Sequence, residues 1–191
     1  VINSICMCKD TLPYSGYGEF SKCIEIDETN QSRLVLAKRN IYTSTNKGDT
    51  WTTWFTGQTD PIRLIKLSKA NPSRVYFISS SNVLYRSISQ GGNFSSISWP
   101  EPFLYVSDVI LSKTNEDHFY ITCMGNVSGK KVYFTNNAGV SWQNISSGLP
   151  NVDIRTGELD PTTGDFYVGT DLGVFVRPAG LNRWIAFNNG L

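Results

Sequence analysis

The chain has 191 residues, with 17 Lys and Arg against 16 Asp and Glu, one His and a formal net charge of +1. That balance holds no basic surplus for neutralising phosphates, which argues against nucleic-acid binding, and one His argues against multi-His metal sites and His-based triads. No run approaches the roughly 18 apolar residues of a membrane helix, so no membrane insertion is expected, and a hydrophobic share of 40% is too high for disorder.

Taken in chain order, Val1 to Asp10 carry no initiator Met, no charged n-region and no long apolar run, so they do not read as a signal peptide. The numbering is expected to begin inside a longer precursor. The cysteines are Cys6, Cys8, Cys23 and Cys123. No Cys-x-x-Cys hook occurs, so no metal site is expected. Cys8–Cys23 and Cys6–Cys23 are the two candidate disulfides. Residues 1–19 read as the end strand of a preceding blade, or an edge-sealing strand, plus linker.

One pattern then recurs four times. Strands are predicted over 23–26, 34–37 and 40–44 in a first blade spanning 20–60, and over 64–67, 75–78 and 83–87 in a second spanning 61–105. A third blade, 106–151, has strands over 109–111, 118–122 and 131–135, and a fourth, 152–191, over 157–159, 166–169 and 173–177. The segments are rich in Val, Ile, Tyr, Phe and Thr, and none has a sustained 3.6-residue period. Ile26, Leu67, Leu111 and Leu159, which end the first strands, are 41, 44 and 48 residues apart. Trp51, Phe94, Trp142 and Trp184, which open the fourth strands, step by 43, 48 and 42. Four short strands per repeat of forty-odd residues describe propeller blades.

The turn between third and fourth strands carries the most information. Ser44, Asn46, Gly48, Thr50 and Trp51 fill a frame that Thr135, Asn137, Gly139, Ser141 and Trp142 fill again. Hydroxyl and carboxamide groups are expected to cap turn N–H groups, Gly to supply a positive φ, and Trp to cover the loop. The stretch from Ser87 to Phe94 is a weaker copy, and Arg177 to Trp184 keeps only the Trp.

This motif resembles the Asp-box, or BNR, repeat of sialidases, sortilin-type receptors and family-74 xyloglucanases. Gly148-Leu149-Pro150-Asn151-Val152 and Tyr167-Val168-Gly169-Thr170-Asp171 fit the same group, most of all secreted xyloglucanase-like propellers. The resemblance implies an all-β propeller of four-stranded antiparallel blades. It also implies that the box is a folding staple on the outside of the blade, with no catalytic role. Thr11-Leu12-Pro13 echoes Gly148-Leu149-Pro150, and Asn189-Gly190-Leu191 echoes Ser147-Gly148-Leu149. Four blades therefore read as the inner or C-terminal part of a larger propeller, with a self-closed ring as the alternative.

Propeller sites are expected among the blade connections and the loops between second and third strands. Carboxylates there are Asp60, Asp108, Asp153, Glu158 and Asp171. Asp108 and Asp153 occupy matching positions one blade apart, and are the candidate catalytic pair if the chain is a glycosidase, which needs two carboxyls about 5 to 9.5 Å apart. Turn capping is the plainer role for both. Only Arg63 and Arg155 stand at inner-strand starts, so the arginine triad of sialidases is incomplete. Trp54, Trp99, Phe103 and Tyr105, with Phe55 nearby, are candidate binding residues, either stacking on sugar or packing between blades. The connection from Trp99 to Phe103 is stiffened by two prolines. Lys130-Lys131 reads as a solvated hairpin, and His118 as a surface or interblade residue. Sequons at Asn30, Asn93, Asn126 and Asn144 are no more than chance supplies in so Asn- and Ser-rich a chain.

The resulting expectation is a non-catalytic extracellular propeller segment that binds glycan or protein. Its other partners would be further blades of the parent chain or of a partner chain. No nucleic acid and no cofactor are expected. The alternatives are part of a secreted xyloglucanase-like glycoside hydrolase and a sortilin-like receptor propeller.

Overall fold

The computed structural model describes residues 23–102, 104–125 and 127–187. The expected leading strand, Cys6, Cys8 and their disulfides, Phe103, Asn126 and the closing Asn189-Gly190-Leu191 lie outside the described residues. Among the described residues all regular structure is strand. The first sheet holds β1 (Cys23–Ile26), β2 (Leu34–Ala37), β3 (Ile41–Ser44) and β4 (Thr52–Phe55). The second holds β5 (Ile62–Leu67), β6 (Val75–Ser79), β7 (Leu84–Ser87) and β8 (Ser95–Ile97). The third holds β9 (Tyr105–Leu111), β10 (Phe119–Met124), β11 (Val132–Thr135) and β12 (Gln143–Asn144). The fourth holds β13 (Ile154–Leu159), β14 (Phe166–Thr170), β15 (Gly173–Arg177) and β16 (Ile185–Ala186). Each is an antiparallel meander with its strands in chain order, so the chain is an all-β propeller fold of four-stranded blades.

The sequence pattern follows from burial. Second strands are covered on both faces, so β2 and β6 are buried at every position and read as unbroken apolar runs. Fourth strands are short outer edges, and β12 and β16 are only two residues long and exposed. A short edge offers little backbone for unwanted pairing.

The chain forms two compact units, residues 1–67 with 72–95 and residues 68–71 with 96–191. In the first, Val35, Ala37 and Ile41 of the first sheet pack on Ile62, Ile65, Val75 and Phe77 of the second. Phe94 closes this core edge-on against Phe55 and Phe77, with centroids 4.8 Å away in both cases. In the second unit, Ile110 and Val132 pack on Ile154, Phe166 and Val168. Tyr120 stacks on Phe166 at 4.4 Å, and Trp184 joins the same core. Burying each such aromatic ring contributes about 1.5–3 kcal/mol.

Two small devices repeat from sheet to sheet. At the turn leaving the first strand, a buried side-chain oxygen caps the next N–H groups. Asp27 accepts from Thr29 and Asn30, Ser68 from Asn71, and Ser112 from Thr114 and Asn115. Half-buried Asp160 does the same for Thr162 and Thr163. At the turn leaving the third strand, the hydroxyls of Ser44, Ser87 and Thr135 are buried and accept from the N–H four residues on, at 2.8, 2.9 and 2.9 Å. The residues ahead of that donor, Lys47, Gln90 and Ala138, have φ of 58°, 54° and 57°, and each is followed by a glycine near 90°. Their own N–H groups reach the first-strand turn of the same sheet, at Ser32 O, Ser73 O and Asp117 O, over 2.8 to 2.9 Å. The second device is thereby tied to the first.

The Lys130-Lys131 hairpin differs from the solvated turn expected of it. Lys131 is fully buried, its Nζ donates to the Gly125 carbonyl, and its N–H donates to Ser146 Oγ at 2.9 Å. Lys130 pairs with Glu101. Lys131 faces inward just ahead of β11, and a long stem ending on a carbonyl satisfies both the apolar and the charged part.

Candidate functional site

The first strands of the second, third and fourth sheets each contain a β-bulge near their start. The registers against the second strands skip one residue at Arg63 in β5, Ser107 in β9 and Arg155 in β13. A bulge re-aims one side chain, and here each of the three meets a residue at the other end of the second strand. Arg63 Nη2 donates to Asn82 at 2.7 Å, the hydroxyls of Ser107 and Thr122 lie 2.8 Å apart, and Arg155 grips Asp171 with Nε at 3.1 and Nη2 at 3.2 Å. The same end of the second unit carries the two candidate carboxylates.

Asp108 is buried beside the bulge in β9. One oxygen accepts the Val109 N–H at 2.8 Å, and the other accepts the Thr156 hydroxyl at 2.8 Å and the Gly157 N–H at 3.4 Å, tying β9 to β13. Asp153 accepts the Gly125 N–H at 2.7 Å with one oxygen and faces Arg155 Nη2 at 3.4 Å with the other. Hydrogen bonds from Arg155, followed by its charge, hold the Asp171 carboxyl below the usual carboxylate range. Arg155 also reaches Met124 Sδ at 3.9 Å, and Met124 is paired across the sheet with exposed Tyr105. Leu172, beside Asp171, is exposed. The result is one Arg between two Asp and against a thioether, with exposed Tyr105 one strand over from that thioether and exposed Leu172 next in the chain to Asp171.

Of the other predicted binding residues, Trp54 is half-buried, with the Arg33 guanidinium 4.9 Å over its ring. Arg33 is itself held by Asp27 at 3.0 Å and by the Pro72 carbonyl. Trp99 is half-buried. The connection behind it is anchored by Glu101, which accepts the Tyr133 hydroxyl at 2.8 Å and pairs with Lys130. Those bonds, Lys130 first, lower the Glu101 carboxyl, and burial raises the Tyr133 phenol. Burial likewise pushes the Cys123 thiol up to about 12, which makes it a poor nucleophile.

The predicted staple residues are placed as two matching turns. Asn46 accepts the Thr50 N–H and Asn137 the Ser141 N–H, both at 2.9 Å, while their Nδ2 groups donate to the Thr50 and Ser141 hydroxyls. The tryptophans differ. Trp51 donates to Gly48 O in its own turn at 3.0 Å, whereas Trp142 donates to Ser98 O just after β8. Trp184 does likewise, 2.7 Å from Ile145 O just after β12. A shallow recess of about 150 Å³ at the β11–β12 turn is lined by Phe134, Asn136, Ser141, Trp142 and Gln143.

Among the described residues no group of three His, Cys, Asp or Glu is placed to hold a metal ion. Among the described residues no helix is long and apolar enough to cross a membrane. The sequence marks the arginines at the strand starts and, separately, the carboxylates Asp153 and Asp171, but not that Arg155 pairs with both, nor that Arg63 meets Asn82. The bulges are invisible in composition, because one extra residue leaves an apolar run unchanged. The Asp27–Arg33–Trp54 clamp is likewise not visible in the sequence, since it joins the β1–β2 turn to β4, well beyond it in the chain.

Fold and turns together define a propeller of short four-stranded blades. The model of the Sortilin-Vps10 family, described as sortilin, neurotensin receptor 3, matches residues 39–168, and the chain belongs to that family. No curated protein sequence matches. Similar solved structures include the GH74 xyloglucanase from Xanthomonas campestris, at 13% identity and TM-score 0.69, covering 86% of this chain and 30% of that one. The GH74 enzyme of Niastella koreensis is 16% identical at TM-score 0.65, covering 84% of this chain and 30% of that chain. YCF48 from Cyanidioschyzon merolae is 15% identical at TM-score 0.61, covering 87% and 56%. The chain thus spans less than a third of the GH74 proteins, and at these identities the likeness concerns the fold.

Proposed function

We propose that this chain is a non-catalytic, extracellular Asp-box propeller segment that binds a polypeptide at the bulged strand ends of its second unit. The observation that carries this reading is the Tyr105, Met124, Arg155, Asp171 and Leu172 surface. Tyr, Met and Arg are the residues that protein interfaces favour. The two carboxylates around one guanidinium suit a ligand with a basic residue beside apolar side chains. The two candidate glycosidase carboxylates support it too: Asp108 is taken up by backbone and hydroxyl donors, and Asp153 by the Gly125 N–H and Arg155. A related fold supports the ligand class: a structure of YCF48 is described as bound to D1 peptide, at 11% identity and TM-score 0.61.

A glycan is the second reading, favoured by the GH74 neighbours and by Trp54 and Trp99. Parallel screens of the full chain against a peptide array and against xyloglucan, with reducing-sugar release as readout, separate the two. Peptide capture that is lost in Arg155→Ala, without sugar release, is the expected result. Sugar release abolished by Asp108→Asn or Asp153→Asn overturns the non-catalytic reading. Xyloglucan binding without release, lost on Trp99→Ala, moves the site to the aromatic connection.

A further inference from the structure

The β7–β8 turn departs from the other two full turns in a specific way. In those, the residue two after the hydroxyl is Asn46 or Asn137, and the residue six after it is Thr50 or Ser141, each pair hydrogen-bonded. In the β7–β8 turn the two residue types are exchanged. Ser89 stands at the first position, bonded to Ser87 through its N–H at 3.2 Å, and Asn93 stands at the second. Among the described residues nothing bonds the Asn93 carboxamide, and the side chain is exposed. Phe94 beyond it is anchored between Phe55 and Phe77, and Ser95 opens the exposed edge strand β8. Asn93-Phe94-Ser95 is therefore an Asn-x-Ser acceptor sequence leading into an exposed edge strand.

The three described acceptor sequences differ in how far the fold has used them. Asn30 is exposed, its Oδ1 accepts the Ser32 N–H at 3.2 Å, and among the described residues its Nδ2 donates to nothing. Asn144 is committed twice. Its Nδ2 donates to Gly129 O at 2.7 Å and its Oδ1 accepts the Ser146 N–H at 2.9 Å. The Ser146 hydroxyl is buried, accepting from the N–H groups of Lys131 and Val132 and donating to Val132 O.

We infer that Asn93 and Asn30 are N-linked glycosylation sites and that Asn144 is not. This rests on the extracellular reading above, since the reaction belongs to the secretory route. In it, Nδ2 attacks the anomeric carbon of a lipid-diphosphate-linked oligosaccharide. The Nδ2–C1 bond forms, the C1–O bond breaks, the lipid diphosphate leaves with the electron pair, and one amide proton passes to the transferase's base. Nδ2 of Asn93 and Asn30 loses nothing by this. At Asn144 the one remaining N–H must stay on Gly129 O and Oδ1 on the Ser146 N–H, which fixes the sugar in one orientation against the hairpin, so chains modified there should fold less well and be under-represented among exported ones.

The test is site-resolved. The full chain is expressed through a eukaryotic secretory route, and secreted and cell-retained fractions are each treated with peptide:N-glycosidase in ¹⁸O water and mapped by mass spectrometry. The expected result is label at Asn93 and Asn30 in most molecules, with at least tenfold less at Asn144 among secreted chains. Asn93→Gln and Ser95→Ala should each remove the Asn93 label alone. An unlabelled Asn93, or equal label at Asn144 among secreted chains, overturns the inference. Label at Asn93 and Asn30 confined to retained chains upholds the sites and counts against the extracellular reading. Secreted, unlabelled chains do the reverse.

Discussion

The β11–β12 turn and the β7–β8 turn have the same backbone but different side chains. Both place two successive residues at positive φ, both bury a hydroxyl that accepts the N–H four residues on, and both reach back to the first-strand turn of their own sheet. Only the first adds the Asn137–Ser141 pair. The difference teaches which parts set the shape. The hydroxyl, the glycine and the backbone bond are enough to form the turn, and the carboxamide adds stability on its exposed side. Where the carboxamide is missing, the position that would bond it is released for another use, as at Asn93.

The largest effect is expected where the glycine also touches the core. A Cβ on Gly139 would lie 2.6 Å from Ile97 Cγ2, whereas one on Gly48 would lie 3.5 Å from Leu34. Both have positive φ, which costs roughly 1–2 kcal/mol for an L side chain. Gly139→Ala adds overpacking of about 1–3 kcal/mol, so in urea unfolding it should lose more stability than Gly48→Ala. Equal losses would show that Ile97 moves aside freely.

Next in size is the hydroxyl. Thr135→Val keeps the shape and strands the N–H of Gly139, which should cost about 1–3 kcal/mol, while Thr135→Ser should cost less. Ser87→Ala should behave as Thr135→Val does if the two turns share one mechanism, and a negligible loss at Ser87 would break the comparison.

Acid should act on the first-strand turn. Burial alone raises the Asp27 carboxyl, but the hydroxyl and N–H of Thr29 and the Arg33 guanidinium outweigh it and hold the group below its ordinary 3.8. A carboxyl lowered in the folded state contributes stability that is complete above the unfolded value and is lost as pH falls toward the folded one. Stability should therefore drop below about pH 4, and Asp27→Asn should flatten that drop while lowering stability at pH 6. An unchanged slope in Asp27→Asn would remove Asp27 from the account. The smallest effect is a gain. Ser89→Asn with Asn93→Thr rebuilds the full pattern in the β7–β8 turn and should add about 0.5–1 kcal/mol in thermal unfolding.

Much of the fold was legible because its signals are local. The unbroken apolar run of β6, the recurrence of Trp51, Phe94, Trp142 and Trp184, and the Ser44 and Thr135 turn frames each need only a few neighbouring residues. The family resemblance rested on those same turns. The site was legible in part. Arg155 could be placed at a strand start, but its partner Asp171 is set by register, and register depends on a bulge that leaves no mark on the pattern. The aromatic candidates failed to declare their environment for the same reason, since Trp54 is covered by an arginine from the β1–β2 turn. Lys131 was misjudged because a lysine pair in a hairpin is normally solvated, and the carbonyl that holds it lies six residues earlier.

The central claim is that the strand ends around Arg155 bind a polypeptide rather than carry out chemistry. The most direct measurement is a titration of an array-selected peptide against the wild-type chain and Arg155→Ala. The account predicts at least a tenfold weaker Kd in the variant with unchanged thermal unfolding and no sugar release by either protein. An unchanged Kd, or xyloglucan cleavage that depends on Asp108, would contradict it.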